Sequence, residues 1–546
     1  MTFTDWILIF LVIQLIHFLG TWKLYQKAGY KAWEAAVPVY NAYILTKIIN
    51  RHWGWVILLL IPVINVIMLP IFWVETLRSF GKNSTVDTIL GVGTLGFYIY
   101  YVNYTQDVQH IKDRSLQPKT ALGEWVSSIL FAIVAATIVH TYVMQPYNIP
   151  TSSLEKTLLV GDFLFVSKFH YGARTPMTAV SFPMVHDTIP ATKLKSYLPK
   201  IQLPYFRLPG FQDIKRSDIV VFNWPVDTVN AFQQYGDGKY YYKPIDKKSN
   251  YVKRCVGIPG DSLEIRDGKI FVNNEPLKLP QKAKPQYSYV VTTNGKGLNL
   301  KTLYKSLDVT DPVYGQGNEG NYVSGGVYAK QNERNGVTSP ANRFVLSALT
   351  EKSAKRLKKL SYVTSVERII APKDYTESEI FPYIGGNMAN KDQLGPFYIP
   401  EEGKTVAITP QSLPFYKRII EVYEGAEMNI ANKISVSGNQ VLLNGSPLTQ
   451  YTFKQNYYWL MGDNRHNSED SRYWGYVPEN HVVGKPVFLF MSLDKNAQGI
   501  GNKIRWERLM STVGGDGKLK SYKYLVFALI LGYLVFNFFQ SKKKNS

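Results

Sequence analysis

Cysteine is almost missing from this 546-residue chain: Cys255 stands alone, so no intrachain disulfide can form and the redox compartment is left open. Histidine is sparse, with eight scattered residues and none paired at i, i+4 beside a Glu, so there is no zinc-site signature. No cofactor or metal is therefore expected. Acidic residues are outnumbered, 41 Asp and Glu against 62 Lys and Arg, for a net charge of +21. Such an excess calls for an anionic partner, either nucleic acid or a membrane surface. A basic segment is lacking before the first apolar run, where Asp5 stands, and no small-residue cleavage site follows at "GTWKLYQ". That run reads as an uncleaved span, not a signal peptide.

What is present decides for the membrane. Apolar-rich runs cover Trp6–Trp22, Trp53–Val74, Thr88–Gln106, Trp125–Met144 and Tyr524–Ser541. Crossing the hydrocarbon core takes about 20 residues, which the second and fourth runs supply easily. Between the first two runs lie Lys23, Lys27, Lys31, Lys47 and Arg51, and before the fourth lie Lys112, Arg114 and Lys119. The segment between the second and third runs carries only Arg78 and Lys82. Putting the richer loops in the cytoplasm gives an outside N-terminus, four spans, an outside soluble region and a last span that returns "SKKKNS" to the cytoplasm. Lys518, Lys520 and Lys523 lie on the other side.

Beyond the membrane, short runs rich in Val, Ile and Phe alternate with Gly, Pro, Asn and Asp, as in "LLVGDFLFVSKF", "SDIVVFNWP" and "KPVFLFMSLD". This is the pattern of antiparallel β structure. "SLEIRDGKIFVNNEPL" (Ser262–Leu277) reads like "KISVSGNQVLLNGSPL" (Lys433–Leu448), which predicts one β-hairpin used twice. A long Lys/Asn/Tyr/Gly-rich stretch separates them. Within it, "LTEKSAKRLKKL" (Leu349–Leu360) predicts an amphipathic helix, with Leu346, Leu349, Leu357 and Leu360 on one face. It is read as a solvated helix of an accessory subdomain and not as a nucleic-acid site.

Three blocks carry the chemistry: "PTSSLEKTLLVGD", "NYVKRCVGIPGD" and "MGDNRHNSEDSRYWGYVPENHVVGKP". In this order behind a membrane span they resemble the bacterial signal peptidase I family, membrane-anchored endopeptidases with a Ser/Lys dyad. The second block matches through Tyr251, Lys253, Arg254, Gly257, Pro259, Gly260 and Asp261. The third matches through Gly462, Asp463, Asn464, Ser468, Asp470, Ser471, Arg472, Trp474 and Gly475. The first departs from the family pattern at Leu154 and Lys156, where Met and Pro are usual.

The resemblance implies Ser153 as nucleophile, Lys253 as general base, and an oxyanion hole formed by the Ser153 N–H and the Thr151 hydroxyl. It further implies that Ser468 orients the Lys253 amine and that Asp470 and Arg472 form a supporting ion pair. A lysine with its ordinary pKa of about 10.4 is almost never neutral at pH 7, so the base must be buried. The apolar setting "YVKRCVGI" suits this better than "SLEKT", where Glu155 would favour the ammonium form of Lys156. Cys255 reads as a small core residue and His466 as an exposed loop histidine.

Alone, a Ser-Ser pair, a strand lysine or a polar loop is nearly always structural; the ordered combination lifts these. Ser153-x-x-Lys156 also fits the signature of penicillin-binding proteins, with a Ser-x-Asn at Ser437–Asn439. No Lys-Thr-Gly or Lys-Ser-Gly element accompanies it, and that signature needs a helix at the serine. A non-enzymatic scaffold is the third alternative.

The expected fold is a multi-pass membrane protein with N-terminal transmembrane helices, a mostly antiparallel β extracytoplasmic catalytic domain, an inserted accessory region and one C-terminal transmembrane helix. The expected divisions are a membrane region at 1–121 with about three transmembrane helices and an anchoring helix at 122–144. The catalytic β domain follows at 145–277 and 429–495, interrupted by an insertion at 278–428. A linker at 496–523 leads to a last helix at 524–541. Expected partners are the lipid bilayer and preproteins emerging from the secretion machinery, cleaved after small residues of the Ala-x-Ala kind, with no nucleic acid. The expected location is the bacterial inner membrane, active site outward. "LPYFRLPGF" (Leu203–Phe211) is expected to dip into the outer leaflet.

Overall fold

The computed structural model describes residues 3–118, 120–192, 194–229, 240–298, 303, 307, 313–316, 322–324, 342–383, 389–494, 497, 499–515, 517 and 519–544. Lys119 and Lys518, counted above for charge, lie outside the described residues, as do parts of 278–428. Two compact units emerge, one of Met1–Met144, Gly172–Pro209 and Asp227–Ser249, the other of Gln145–Tyr171, Gly210–Val226 and Asn250–Ser546.

The first unit is largely helical. Its opening helix, Phe3–Lys27, has Asp5 in the first turn and Lys27 in the last, both favourable to the helix dipole. Its flank is apolar yet uncovered, with Leu8 at 56% and Leu15 at 54% exposure. Among the described residues, three helices are long and apolar enough to cross a membrane: Thr4–Lys27, Ala121–Val143 and Lys523–Ser541, the last belonging to the second unit.

The second and third apolar runs are not single continuous helices. The second is broken into Trp55–Leu60 and Ile64–Ser79 around Pro62, with Val63 forced to φ 69°. Proline has no N–H to continue the helix, and its predecessor is driven out of helical geometry. The third is broken into Thr85–Gly93 and Tyr98–Thr105 where Leu95 and Gly96 take φ of 53° and 86°. These short helices pack with the end of the first around Leu24, Tyr25, Ile64, Met68, Phe72 and Val102. Trp6 Nε1 donates to the Gln202 carbonyl at 3.0 Å within this unit.

The second unit holds the β structure. An eight-stranded sheet runs in the order Met144–Asn148, Asp162–Ser167, Val482–Ser492, Ile219–Asn223, Asn250–Gly257, Tyr457–Met461 and Val477–Pro478, with Ser511–Thr512 added beside Val482–Ser492. Central pairs are antiparallel: Val220 faces Lys253 and Met461 faces Arg254. Val166, Val220, Val221 and Phe222 are almost wholly buried, as β-branched and aromatic residues in a strand covered on both faces should be.

The repeated hairpin is present twice. Ser262–Arg266 pairs with Lys269–Val272 and Ile434–Ser437 with Gln440–Leu443, each followed by a short third strand. In both copies the following two-residue turn is left-handed, Asn273–Asn274 in one and Asn444–Gly445 in the other, which is why Asn and Gly recur there. Both copies share one core with Trp459, Ile419 and Tyr476.

Within 278–428, strands Gln286–Thr293, Arg343–Thr350 and Val363–Arg368 form an antiparallel sheet. The expected helix is shorter than the pattern suggested: it covers Glu351–Leu357, capped by Thr350, while Leu346 and Leu349 lie in the preceding strand. All three of Leu346, Leu349 and Leu357 are buried together, so the apolar face was real but a strand shares it. Leu394–Tyr398, also in this stretch, pairs with the first hairpin.

Candidate active site

The first block forms no helix. Residues 151–158 run through turns, closed by Glu155 N to Ser152 O at 2.9 Å and Leu158 N to Leu154 O at 2.8 Å. Lys156 has φ 67°, a left-handed conformation that the helix required by Ser-x-x-Lys would forbid. The second block is strand Asn250–Gly257. The third leaves strand Tyr457–Met461 through a polar loop into the short helix Ser471–Trp474, capped by Asp470.

These elements bring Ser153 and Lys253 together from positions one hundred residues apart: Nζ donates to Oγ at 2.7 Å. When the amine is neutral, the same contact runs with the hydroxyl as donor. Ser153 is 7% exposed and Lys253 3%. Burial pushes the Lys253 pKa down to about 8, although the Asp470 and Glu469 carboxylates pull it back upward. The Tyr251 ring lies 5.3 Å from the amine. A serine hydroxyl touching a desolvated lysine is the arrangement that base-assisted nucleophilic attack needs.

The expected ion pair is present. Arg472 donates to Asp470 through Nε at 2.9 Å and Nη2 at 2.8 Å, and Asp470 also accepts from Gly462 N at 3.0 Å. Burial pushes the Asp470 carboxyl up, but the Arg472 guanidinium and the Gly462 N–H outweigh it and hold the pKa below its ordinary value. Ser468 differs from expectation. It is buried, yet its hydroxyl has no hydrogen-bond partner among the described residues, the Lys253 amine included. It packs on Gly462, where a Cβ would stand 2.2 Å from Ser468 Oγ and 2.6 Å from Ser153 O, so only glycine fits. Thr151 is exposed, with no hydrogen bond from its hydroxyl among the described residues.

Several residues that frame the site were given no such role in the sequence reading. Asp463 accepts from Arg254 Nε at 2.7 Å, Arg254 Nη2 at 2.6 Å and Thr157 Oγ1 at 2.6 Å, so one carboxylate ties all three blocks. An adjacent Lys-Arg and a Gly-Asp were visible signals for that pair. Asn464 N donates to Ser153 O at 3.0 Å, and Asn467 Nδ2 to Ser152 Oγ at 3.0 Å. His466 is not an exposed loop residue: its side chain is 6% exposed, with Nε2 3.0 Å from Asp392 Oδ1. Its Nδ1 accepts from Ser288 N at 3.0 Å, which leaves the proton on Nε2. Partners from 278–428, invisible in the local pattern, account for the difference. Among the described residues no group of His, Cys, Asp and Glu could hold a metal ion.

Comparison with known proteins now bears on this geometry. Residues 122–325 and 402–491 match the family described as signal peptidase, peptidase S26. The chain belongs to that family. Residues 33–113, the region of broken helices, match a family of unknown function (DUF5684). The chain is 23% identical over 395 residues to signal peptidase I of Buchnera aphidicola subsp. Acyrthosiphon pisum, covering 72% of this chain and 82% of the relative. It is 23% identical over 406 residues to that of Haemophilus influenzae, covering 73% and 78%. A shorter match to signal peptidase I of Rickettsia conorii is 29% identical over 160 residues, 29% of this chain and 46% of the relative. The family and the three long apolar helices make this a membrane-associated serine peptidase.

Proposed function

We propose that this chain removes N-terminal signal peptides from exported preproteins, with Ser153 as nucleophile and Lys253 as general base. The observation that carries the reading is the 2.7 Å contact between Ser153 Oγ and a buried Lys253 amine whose pKa is pushed down to about 8. The neutral amine takes the Ser153 proton as Oγ attacks the scissile carbonyl, then returns it to the departing amine. Water, activated by the same amine, hydrolyses the acyl-enzyme. The Ser153 N–H and the Thr151 hydroxyl stabilise the developing oxyanion. Asp470 and Arg472 hold the loop that carries Ser468, whose hydroxyl orients the amine in this reading.

The substrate is an extended segment ending in small residues, emerging from the secretion machinery at the outer face of a bacterial inner membrane. Ser153 follows Met144 by nine residues, close to where such a segment leaves the bilayer. With the broken second and third runs counted as no crossings, sidedness is the same as with four spans, because parity is kept. The Trp6 contact with Gln202 supports a first helix whose N-terminal end faces the same side as the 172–209 segment. Tyr205, Phe206, Leu208 and Phe211 are exposed at 39%, 56%, 40% and 82%, which suits insertion into the outer leaflet.

The deciding experiment replaces Lys253 and Lys156 singly with Ala and follows cleavage of a membrane-inserted preprotein. Loss with Lys253→Ala alone is expected. Loss with Lys156→Ala alone, or acylation of Ser153 by penicillin, would overturn the dyad.

A further inference from the structure

The nucleophile sits on a turn without regular structure, so its position depends on what holds the turn's carbonyls. Ser152 O accepts from Asn464 Nδ2 at 3.3 Å and Ser153 O from Asn464 N at 3.0 Å. Leu154 O is held within the turn by Leu158 N at 2.8 Å, and Glu155 O accepts at 2.5 Å from Nε2 of Gln286, which opens the strand Gln286–Thr293. Gln286 is wholly buried. Its backbone closes on the third block as well: Gln286 N donates to Asp463 O at 2.8 Å, and Arg465 N donates to Gln286 O at 3.0 Å. The two segments thereby form a short parallel bridge at Gln286 and Asn464. Nε2 reaches a second carbonyl, Lys284 O, at 3.0 Å, which fixes the amide's orientation.

We infer that Gln286 is a positioning residue for Ser153, and that through it the sheet of Gln286–Thr293, Arg343–Thr350 and Val363–Arg368 sets the geometry of the dyad. The inference rests on the Ser153–Lys253 reading and gives this sheet a task that reading does not assign. One neutral side chain and its own backbone join the nucleophile turn, the loop after strand Tyr457–Met461 and the accessory sheet. A neutral amide suits this place because it supplies two donors without adding charge near Lys253. Displacing a reacting group by about 1 Å can cost about 100-fold in rate. Removing the amide therefore acts on turnover, while substrate binding and the Lys253 pKa are left as they are.

The test uses full-length protein in liposomes with a membrane-inserted preprotein. Gln286→Met keeps the volume and both backbone bonds while deleting the amide. The expected result is a kcat lowered by about 10- to 100-fold, KM within about twofold, and an unmoved acid limb of the pH profile. The melting temperature should stay close to that of the unmodified protein. Unchanged kcat, or a kcat loss that tracks the fraction of unfolded protein, would overturn the inference. Gln286→Leu supplies the second measurement if Met does not fold. Its side chain is apolar and cannot donate, so full turnover in that variant would equally overturn it. Wild-type levels of cleavage by Lys253→Ala would instead sink the dyad reading, and the two failures are thus told apart.

Discussion

Lys253 and Arg254 are neighbours on one strand, 3% and 2% exposed, and they meet opposite treatment. On one face Arg254 finds the Asp463 carboxylate through two bonds of 2.7 and 2.6 Å. On the other, Lys253 finds a serine hydroxyl at 2.7 Å, while Asp470 spends its oxygens on Arg472 and Gly462. Arg254 is buried with a bonded carboxylate as counter-charge; burying Lys253 without one makes its neutral form accessible. The arginine face holds three segments in place, and the lysine face provides the base.

The largest effect expected from breaking this contrast is on the lysine face. Lys253→Ala or Ser153→Ala should lower kcat/KM for preprotein cleavage by roughly 1000-fold or more, since proton transfer and the nucleophile vanish together. Folding should survive, as judged by an unchanged far-ultraviolet spectrum. Residual activity within tenfold of the unmodified protein would remove Lys253 from the mechanism.

On the arginine face, Asp463→Asn should do the reverse. It leaves the Arg254 guanidinium buried without its full counter-charge and weakens the Thr157 bond. Losing one partner of a buried pair costs about 3–5 kcal/mol, measurable as a lower midpoint in denaturant unfolding. Cleavage would fall because less protein is folded, with the pH profile of the folded fraction kept. A stable variant with a shifted profile would show that Asp463 serves the base and not the scaffold.

What the sequence disclosed follows the same division. The contacts of Ser153 with Lys253 and of Asp470 with Arg472 were expected from the resemblance that the three blocks carry. The repeated hairpin was legible because Asn-Asn and Asn-Gly turns demand left-handed backbone, a purely local requirement. The breaks in the second and third apolar runs were hidden because hydropathy averages over Pro62 and over Leu95–Gly96, which interrupt the helices without making them polar. Gln286 and the burial of His466 were hidden because their partners are backbone groups and residues far along the chain. Neutral amides bonded to carbonyls leave no trace in composition.

The cost of the base gives a smaller effect of opposite sign. Its folded pKa of about 8 lies below the ordinary 10.5, so the unfolded chain holds the proton over the interval between them. Above about pH 10.5 Lys253 is neutral in both states and costs nothing. As pH falls through 8 the penalty becomes complete, about 3 kcal/mol at pH 7. Lys253→Met should therefore abolish cleavage yet raise stability at pH 7, with the gain shrinking as the pH of the unfolding experiment approaches 10.5. A gain that stays constant across that range would mean improved packing and not relief of a buried charge.

The smallest expected effect tests how far the lysine face is insulated. Glu469 lies in the loop beside the dyad, and its carboxylate favours the ammonium form of Lys253. Cleavage needs the neutral amine, so kcat/KM rises with pH through the Lys253 pKa. Glu469→Gln removes a charge that raises this pKa; the pKa falls, and the acid limb moves to lower pH. Because Glu469 is exposed, solvent screens the interaction and the movement should be less than about half a pH unit. Cleavage at pH 7 then increases slightly, where most loop substitutions would leave it unchanged or reduce it. A limb that moves to higher pH would reverse the sign of the coupling and mean that the loop had opened, admitting water to the amine.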